Sequence, residues 1–293
     1  MTHLRPRDLA FLVLINLIWG FNLIASKVGV THFPPIFFTA LRFSILGAVL
    51  LPFLRWHPGR MQQLLIASAL SGGLQYAVLF MGMRLTKGVG SVAIANQLGV
   101  PFTTLMSVMF LGEVIHWRRG LGIALAFLGV AIIAFQPSLL DSRAGLALVV
   151  ASALIGSAGV VAVKAMGTSL KPFELQAWFA ISGLPLLFAL SAWLEDGQLA
   201  SLASAVPLEW GALLFTALAS SLVAHSGYYW LVHRYPVTSV SPLTTLSPIF
   251  GVTFGVVIFH DELTPRILWG GLATLVGVTI IALRERRFVD TGS

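Results

Sequence analysis

The sequence predicts an all-α integral membrane protein whose ten transmembrane helices form two inverted five-helix repeats. Three observations carry that expectation. Of the residues, 57% are hydrophobic and only 10% charged, with a mean hydropathy of +0.90, whereas a soluble chain of 293 residues needs far more polar surface. Apolar segments recur near 9–30, 36–54, 62–83, 89–111, 119–136, 145–166, 173–194, 210–232, 237–259 and 266–283. Each matches the about 20 residues with which a helix crosses roughly 30 Å of hydrocarbon. The second half of the chain, finally, repeats the first.

Taken in order, the first segment follows Arg5 and Arg7 as a signal peptide would. It runs too long and lacks a small-residue cleavage pattern, so it reads as a retained span. Trp19, Asn22 and Ser26 fall on it at i, i+3 and i+7, one inward stripe with Lys27 beside it nearer the end. In span two Arg42 stands near the start and reads as structural. Span three offers Gln75, Tyr76 and Phe80. Span four carries Ala93, Asn96 and Gln97 and then Pro101, and span nine carries Ser241, Thr244, Thr245 and Pro248 at i, i+3, i+4 and i+7. Proline frees a backbone carbonyl, which lipid tolerates only where neighbours or a wet cavity satisfy it. Ser221, His225, Tyr228 and Tyr229 make the corresponding stripe on span eight. Hydroxyls and amides also glue helices together at about 0.6 kcal/mol each, which suffices for Thr103, Thr104 and Ser107. Adjacent amides deep in a span exceed one packing contact, so Asn96 and Gln97 are assigned to a cavity wall.

The repeat fixes the topology. LIWGFNLIASKVGVTHFPP from Leu17 aligns with LIGSAGVVAVKAMGTSLKP from Leu154, so Lys27 falls on Lys164, Thr31 on Thr168 and Pro35 on Pro172. GSVAIANQLGVPFTTLMSVMFLGE from Gly90 aligns with TSVSPLTTLSPIFGVTFGVVIFHDE from Thr238, after LEDGQLASLASAVPLE has lengthened the loop beyond span seven. The units run from 1 to 139 and from 140 to 293. Five helices per unit bring the second copy into the membrane from the opposite face, an architecture found in many secondary transporters with a midplane site. Lys27 and Lys164 then occupy exchanged positions near opposite faces, as anchors or as gate residues. With Pro101 and Pro248 they are the candidate gating and helix-breaking positions.

Charge follows the same topology. Arg5, Arg7, Arg55, Arg60, Arg118, Arg119, Lys171, Arg234, Arg284, Arg286 and Arg287 fall on the side of both termini, against Arg84, Lys87, Arg143 and Arg266 on the other. The positive-inside rule makes the termini cytoplasmic. The net charge of +7 is thereby accounted for without a nucleic-acid partner. Every acidic residue lies at a span end, in a loop or in a tail, so no buried carboxylate relay is expected, and His225 is the deep titratable side chain. There is no cysteine. Glu113 with His116, and His260 with Asp261 and Glu262, read as caps of the helices that follow rather than as metal ligands. No metal or cofactor is expected.

The run WGFNLIASKVGVTHFPPIFFTALRF, the proline-bearing spans four and nine, and the paired endings Gly112–Glu113 and Asp261–Glu262 resemble the two EamA repeats of the drug/metabolite transporter superfamily over nearly the whole chain. Among ten-span members the chain is most similar to the YddG-type amino-acid exporters of bacterial inner membranes. The resemblance implies a ten-helix bundle with cytoplasmic termini and a central cavity lined mainly by spans one, three, four, six, eight and nine. An arginine at the LRF position belongs to the same pattern. Small multidrug exporters resemble one repeat but carry a glutamate in their first span where this chain offers Asn22, so a carboxylate-coupled cation antiporter is not expected. The expected function is export of neutral or aromatic amino acids and related small metabolites by alternating access, with the substrate and the bilayer as partners. A carrier or flippase of nucleotide-linked or lipid-linked sugars, a broader drug/metabolite exporter, and an intramembrane enzyme are the alternatives. No catalytic residue is assigned.

Overall fold

The computed structural model describes residues 4–136, 142–166, 170–235 and 240–284, without the side chains of His233, Ser241, Pro242 and Arg284. Thr168, the expected boundary between the two units at 139–140, and residues 237–239 of the ninth apolar segment lie outside the described residues. The membrane helices are α1 (Pro6–His32), α2 (Pro35–Phe53), α3 (Met61–Leu85), α4 (Val89–Leu111), α5 (Trp117–Ala134), α6 (Arg143–Ala165), α7 (Pro172–Leu194), α8 (Pro207–Val232), α9 (Leu243–Phe259) and α10 (Pro265–Leu283). Among the described residues nine are long and apolar enough to cross a bilayer, and α9 is the shorter tenth.

Local chemistry sets the ends. α1, α2, α7, α8 and α10 each begin at a proline, whose missing N–H would find no intrahelical partner there anyway. α1 stops at His32 because Phe33 precedes Pro34 and is extended, the conformation proline imposes on its predecessor. Gly112 after α4 and His260 after α9 are both left-handed, with φ of 69° and 56°. They close the two helices with the same backbone bonds, Glu113 N–H to Ser107 O and Asp261 N–H to Gly255 O. The long α7–α8 connection folds into a short helix, Gln198–Ser204, and Glu195 beside it accepts the Ile36 and Phe37 N–H groups at 2.7 and 2.9 Å. A carboxylate thus satisfies the free donors at the start of α2.

Helix packing obeys the two-fold exchange of α1–α5 with α6–α10. The pairs α5–α10, α2–α7 and α4–α9 are their own mates, α3–α6 is matched by α8–α1, and α1–α9 by α6–α4. The face carrying the start of α1 is called the N-terminal face below, and the other the distal face. The α5–α10 pair approaches through Gly122, Gly129, Gly270 and Gly277, where a Cβ added at Gly129 would stand 2.3 Å from the Gly270 carbonyl oxygen and one at Gly277 2.4 Å from that of Gly122. Lipid supplies no hydrophobic drive to associate helices, so such backbone-on-backbone contact is how they gain packing. Symmetry extends to a defect: α3 over Ala69–Leu74 and α8 over Phe215–Ala224 are wound as π-helix. Each holds an extra residue in the middle of the span, a feature frequent at functional sites.

Gly129→Leu is expected to destabilise the folded protein by at least about 1–3 kcal/mol, the usual cost of overpacking, because besides Thr274 Oγ1 the nearest atoms, Gly270 O and Thr274 N, are backbone and cannot yield. Thermal unfolding in detergent measures this; an unchanged melting temperature contradicts the packing described.

Candidate functional site

The two prolines build the centre. Pro101 has no N–H for Gln97 O and its ring crowds that carbonyl, so α4 breaks into Val89–Asn96 and Gly99–Leu111. The chain passes the break in a tight turn, with Gln97 N–H bonded to Ile94 O and Leu98 N–H to Ala95 O at 3.1 Å. Pro248 stands in the same relation to Thr244, and α9 opens with a tight turn over Ser241–Thr245 before continuing as Leu246–Phe259. Asn96 and Gln97 sit at the break, partly exposed, and their side-chain amides have no hydrogen-bond partner among the described residues.

Around these breaks lies a cavity of about 290 Å³. α1 contributes Trp19, Asn22, Leu23 and Ser26, α3 Tyr76, Leu79 and Phe80, and α4 Ala93, Asn96 and Gln97. α8 adds Ser220 and His225, α9 adds Thr244, Ser247 and Pro248, and α2 adds Arg42. The rings of Trp19, Tyr76 and Phe80 share the lining with amides and hydroxyls. His225 Nδ1 lies 2.8 Å from Ser220 O and 3.3 Å from Trp19 Nε1, and it cannot both donate to one and accept from the other. The shorter contact places the proton on Nδ1, donated to the Ser220 carbonyl, which leaves Nε2 as the acceptor of the neutral ring. The Trp19 indole then meets the imidazole edge-on at 5.1 Å.

Arg42 is the cation of this wall. It is 1% exposed. Its Nε and Nη2 donate to Ser221 Oγ at 3.3 and 2.7 Å, and Ser221 Oγ donates in turn to Thr216 O at 3.0 Å. That last bond spans five residues and uses the wide winding of α8. The guanidinium carbon lies 4.8 Å from the centre of the Tyr76 ring and 5.6 Å from that of Phe80, a favourable cation–π arrangement. Among the described residues no aspartate or glutamate lines the cavity.

The distal end is sealed. α4 and α9 meet there through small residues: a Cβ on Gly251 would stand 3.3 Å from Ala93 Cβ, and one on Gly255 3.5 Å from Gly90 N. Asp261 accepts the Val89 and Gly90 N–H groups at 2.7 and 3.2 Å. Its role differs from the sequence expectation, since it caps the start of α4 across the bundle rather than the helix that follows it. Lys27 donates to the Met83 and Thr86 carbonyls at 2.7 and 2.6 Å, closing the end of α3. At the N-terminal face the equivalents act differently. Lys164 pairs with Glu113, its partner being the counterpart of Asp261, and Lys164 is half-exposed. The mate of the α4–α9 seal, Gly99–Leu111 with Ser241–Thr245, is not among the close helix pairings.

Of the residues assigned to the cavity from sequence, Trp19, Asn22, Tyr76, Phe80, Asn96, Gln97, His225 and Thr244 come together, and Pro248 lines the same space. Gln75, Tyr228, Tyr229, Thr245 and Pro101 do not line it. Gln75 lies over Gly156, where a Cβ would stand 2.3 Å from its amide carbon. Tyr228 packs on Trp19 with ring centres 5.5 Å apart, and Tyr229 lies 6.1 Å behind it. Ser241 has no described side chain. Ser26, on the inward stripe of α1, lines the cavity as well, whereas Ser220, Ser247 and above all Arg42 were not assigned to the wall. The signal for Arg42 was its depth: seven residues into α2 is about 10 Å from the helix start, further than an interfacial anchor needs to be.

Comparison with known proteins gives a consistent picture. The EamA-like transporter family matches residues 8–135 and again 143–283. A probable amino-acid metabolite efflux pump of Escherichia coli is 26% identical, over 98% of this chain and 99% of its own. One of the same description from Salmonella typhimurium is 27% identical over 94% and 95%. An uncharacterized transporter of Bacillus subtilis, YoaV, is 25% identical over 91% and 94%. A crystal structure 19% identical in sequence superposes with a TM-score of 0.62 over 97% of this chain and 99% of the other, a likeness of fold.

Because the chain has no cysteine, single-cysteine variants report accessibility cleanly. Cysteine at Asn96, Gln97 or Thr244 is expected to react with a water-soluble maleimide in membranes, while cysteine at the fully buried Val92 stays unmodified. Equal protection of all four positions contradicts a wet cavity.

Proposed function

The chain belongs to the EamA-like transporter family, and from that premise we propose that it exports amino acids, neutral or aromatic ones first, and related small metabolites by alternating access. The observation that carries the proposal is the central cavity, whose lining combines the rings of Trp19, Tyr76 and Phe80 with amides and hydroxyls. An apolar side chain fits the first, and the polar backbone of an amino acid fits the second. The efflux pumps similar along their whole length support the substrate class. One guanidinium in the wall is a poor match for a nucleotide-linked sugar, whose diphosphate calls for several cations.

In this reading the protein resides in a bacterial inner membrane with both termini in the cytoplasm. The cations of the N-terminal face, Arg5, Arg7, Arg55, Arg60, Arg118, Arg119, Lys171 and Arg234, against four on the distal face, support that orientation. The units on either side of residues 139–140 rock against each other. The state described is closed to the outside, with Lys27 and Asp261 as its latches. When the N-terminal face closes, Lys164 leaves Glu113 for the end of α8, as Lys27 now holds the end of α3. Glu113 turns to the start of α9. Hydrogen bonds to charged groups are worth about 1.5–3 kcal/mol, so losing one shifts the two states by roughly tenfold or more.

Purified protein in liposomes is expected to carry out counterflow of labelled phenylalanine or leucine, and Asn96→Ala with Gln97→Leu to reduce it severely at unchanged membrane abundance. Passage of phosphorylated sugars alone contradicts the substrate assignment. Lys27→Met is expected to raise maleimide labelling of cavity cysteines from the distal side by roughly tenfold; unaltered labelling removes Lys27 from the gate.

A further inference from the structure

We infer that Arg42 is the specificity-determining residue of the cavity: its guanidinium receives the substrate's carboxylate, so the carrier selects carboxylates bearing an apolar body over the matching amides and amines. The inference rests on the amino-acid reading above and adds the group by which that substrate is read. A cation buried to 1% exposure is sustained only where its donors are met. Ser221 takes Nε and Nη2, and the faces of Tyr76 and Phe80 take part of the charge. Nη1 is buried and has no partner among the described residues. Ser221 is neutral and no carboxylate of the described residues lines the cavity, so among them the charge has no counter-ion in the wall.

The neighbouring groups share this incompleteness. Asn22 and Ser26 line the same cavity, and Asn22 Oδ1 and Ser26 Oγ are buried and also lack partners among the described residues. A cavity wall therefore offers a free cationic donor, a free amide oxygen and a free hydroxyl, with the Nε2 acceptor of His225 on the facing helix. A carboxylate answers the first, and an α-ammonium group answers the acceptors. With no anion for the ammonium, the carboxylate is the charged handle that the protein pairs. Chloride or phosphate would also meet Nη1, but the volume beyond it is walled by Trp19, Tyr76 and Phe80, which a bare ion leaves empty.

The test uses the wild-type protein in liposomes, with inhibition of phenylalanine counterflow by four probes of one size: phenylalanine, 3-phenylpropionate, phenylalaninamide and phenethylamine. The two acids are expected to compete at least about tenfold more strongly than the amide and the amine, and Arg42→Gln to erase the difference while Arg42→Lys retains part of it. Equal competition by phenylalanine and phenylalaninamide overturns the inference, and it needs no variant that folds. If phenylalanine shows no counterflow, the four probes are compared by thermal stabilisation of the purified protein. Selective stabilisation by 3-phenylpropionate then upholds the carboxylate site and rejects the amino-acid reading. Stabilisation by chloride or phosphate to the same degree overturns the site.

Discussion

The molecule is organised by two carbonyls that prolines deprive of their helical partners. In a bilayer a backbone oxygen without a donor costs several kcal/mol, so the chain tightens at each break: Val100 N–H takes the Gln97 carbonyl at 3.2 Å, and a tight-turn N–H takes that of Thr244. Here both breaks are turned toward the bundle axis and one cavity. α4 and α9 are brought into contact on the distal side of that cavity, through Val89–Asn96 and Leu246–Phe259. From this follow the position of the free amides, the place of the seal, and the depth at which hydroxyls and rings meet.

The cavity is off the symmetry axis although the helices around it are not, and the repeat explains why. Under the offset that pairs Lys27 with Lys164, Trp19 corresponds to Gly156, Asn22 to Gly159 and Ser26 to Val163. Where α1 is bulky and polar, α6 is small, and α3 closes onto it: Gln75 fills the space of a side chain at Gly156, and Ser71 that at Gly159. The corresponding approach of α8 to α1 is held apart by Trp19, packed against His225 and Tyr228. Carrying the same register into α7 puts Phe179 opposite Arg42, so the buried cation too exists on one side only. Symmetry supplies the frame, and a few substitutions between the copies hollow out the site.

These facts decide what could be read from the sequence. Span number and the inverted repeat were legible because hydropathy and the offset are properties of one segment or of two aligned ones, whereas of the α9 stripe only Thr244 and Pro248 line the cavity. Gln75 stood at the right spacing but is diverted by a glycine on another helix, which spacing on α3 does not contain. Asp261 was recognisable as a cap, yet the helix that it caps is 171 and 172 residues away. Arg42 was read by its nearness to a span end; only the placement of α3 and α8 around it reveals that its route to water leads into the cavity.

The two-fold relation also bears on how a machine of this kind keeps both of its states accessible. Lys27 and Lys164, Asp261 and Glu113, and the left-handed closures at Gly112 and His260 give the two faces the same fittings in exchanged positions. Under the alternating-access reading, closing one face while opening the other replaces one set of charge-assisted bonds by a chemically similar set, so large terms cancel between the states. What remains is the difference between the latches, of the order of a few hydrogen bonds or about 1–3 kcal/mol. A ligand shifts such an equilibrium by no more than its differential affinity for the two states. In that reading, near-degenerate end states are what would allow a small substrate, touching one guanidinium and a handful of amides and rings, to govern the movement of the whole bundle.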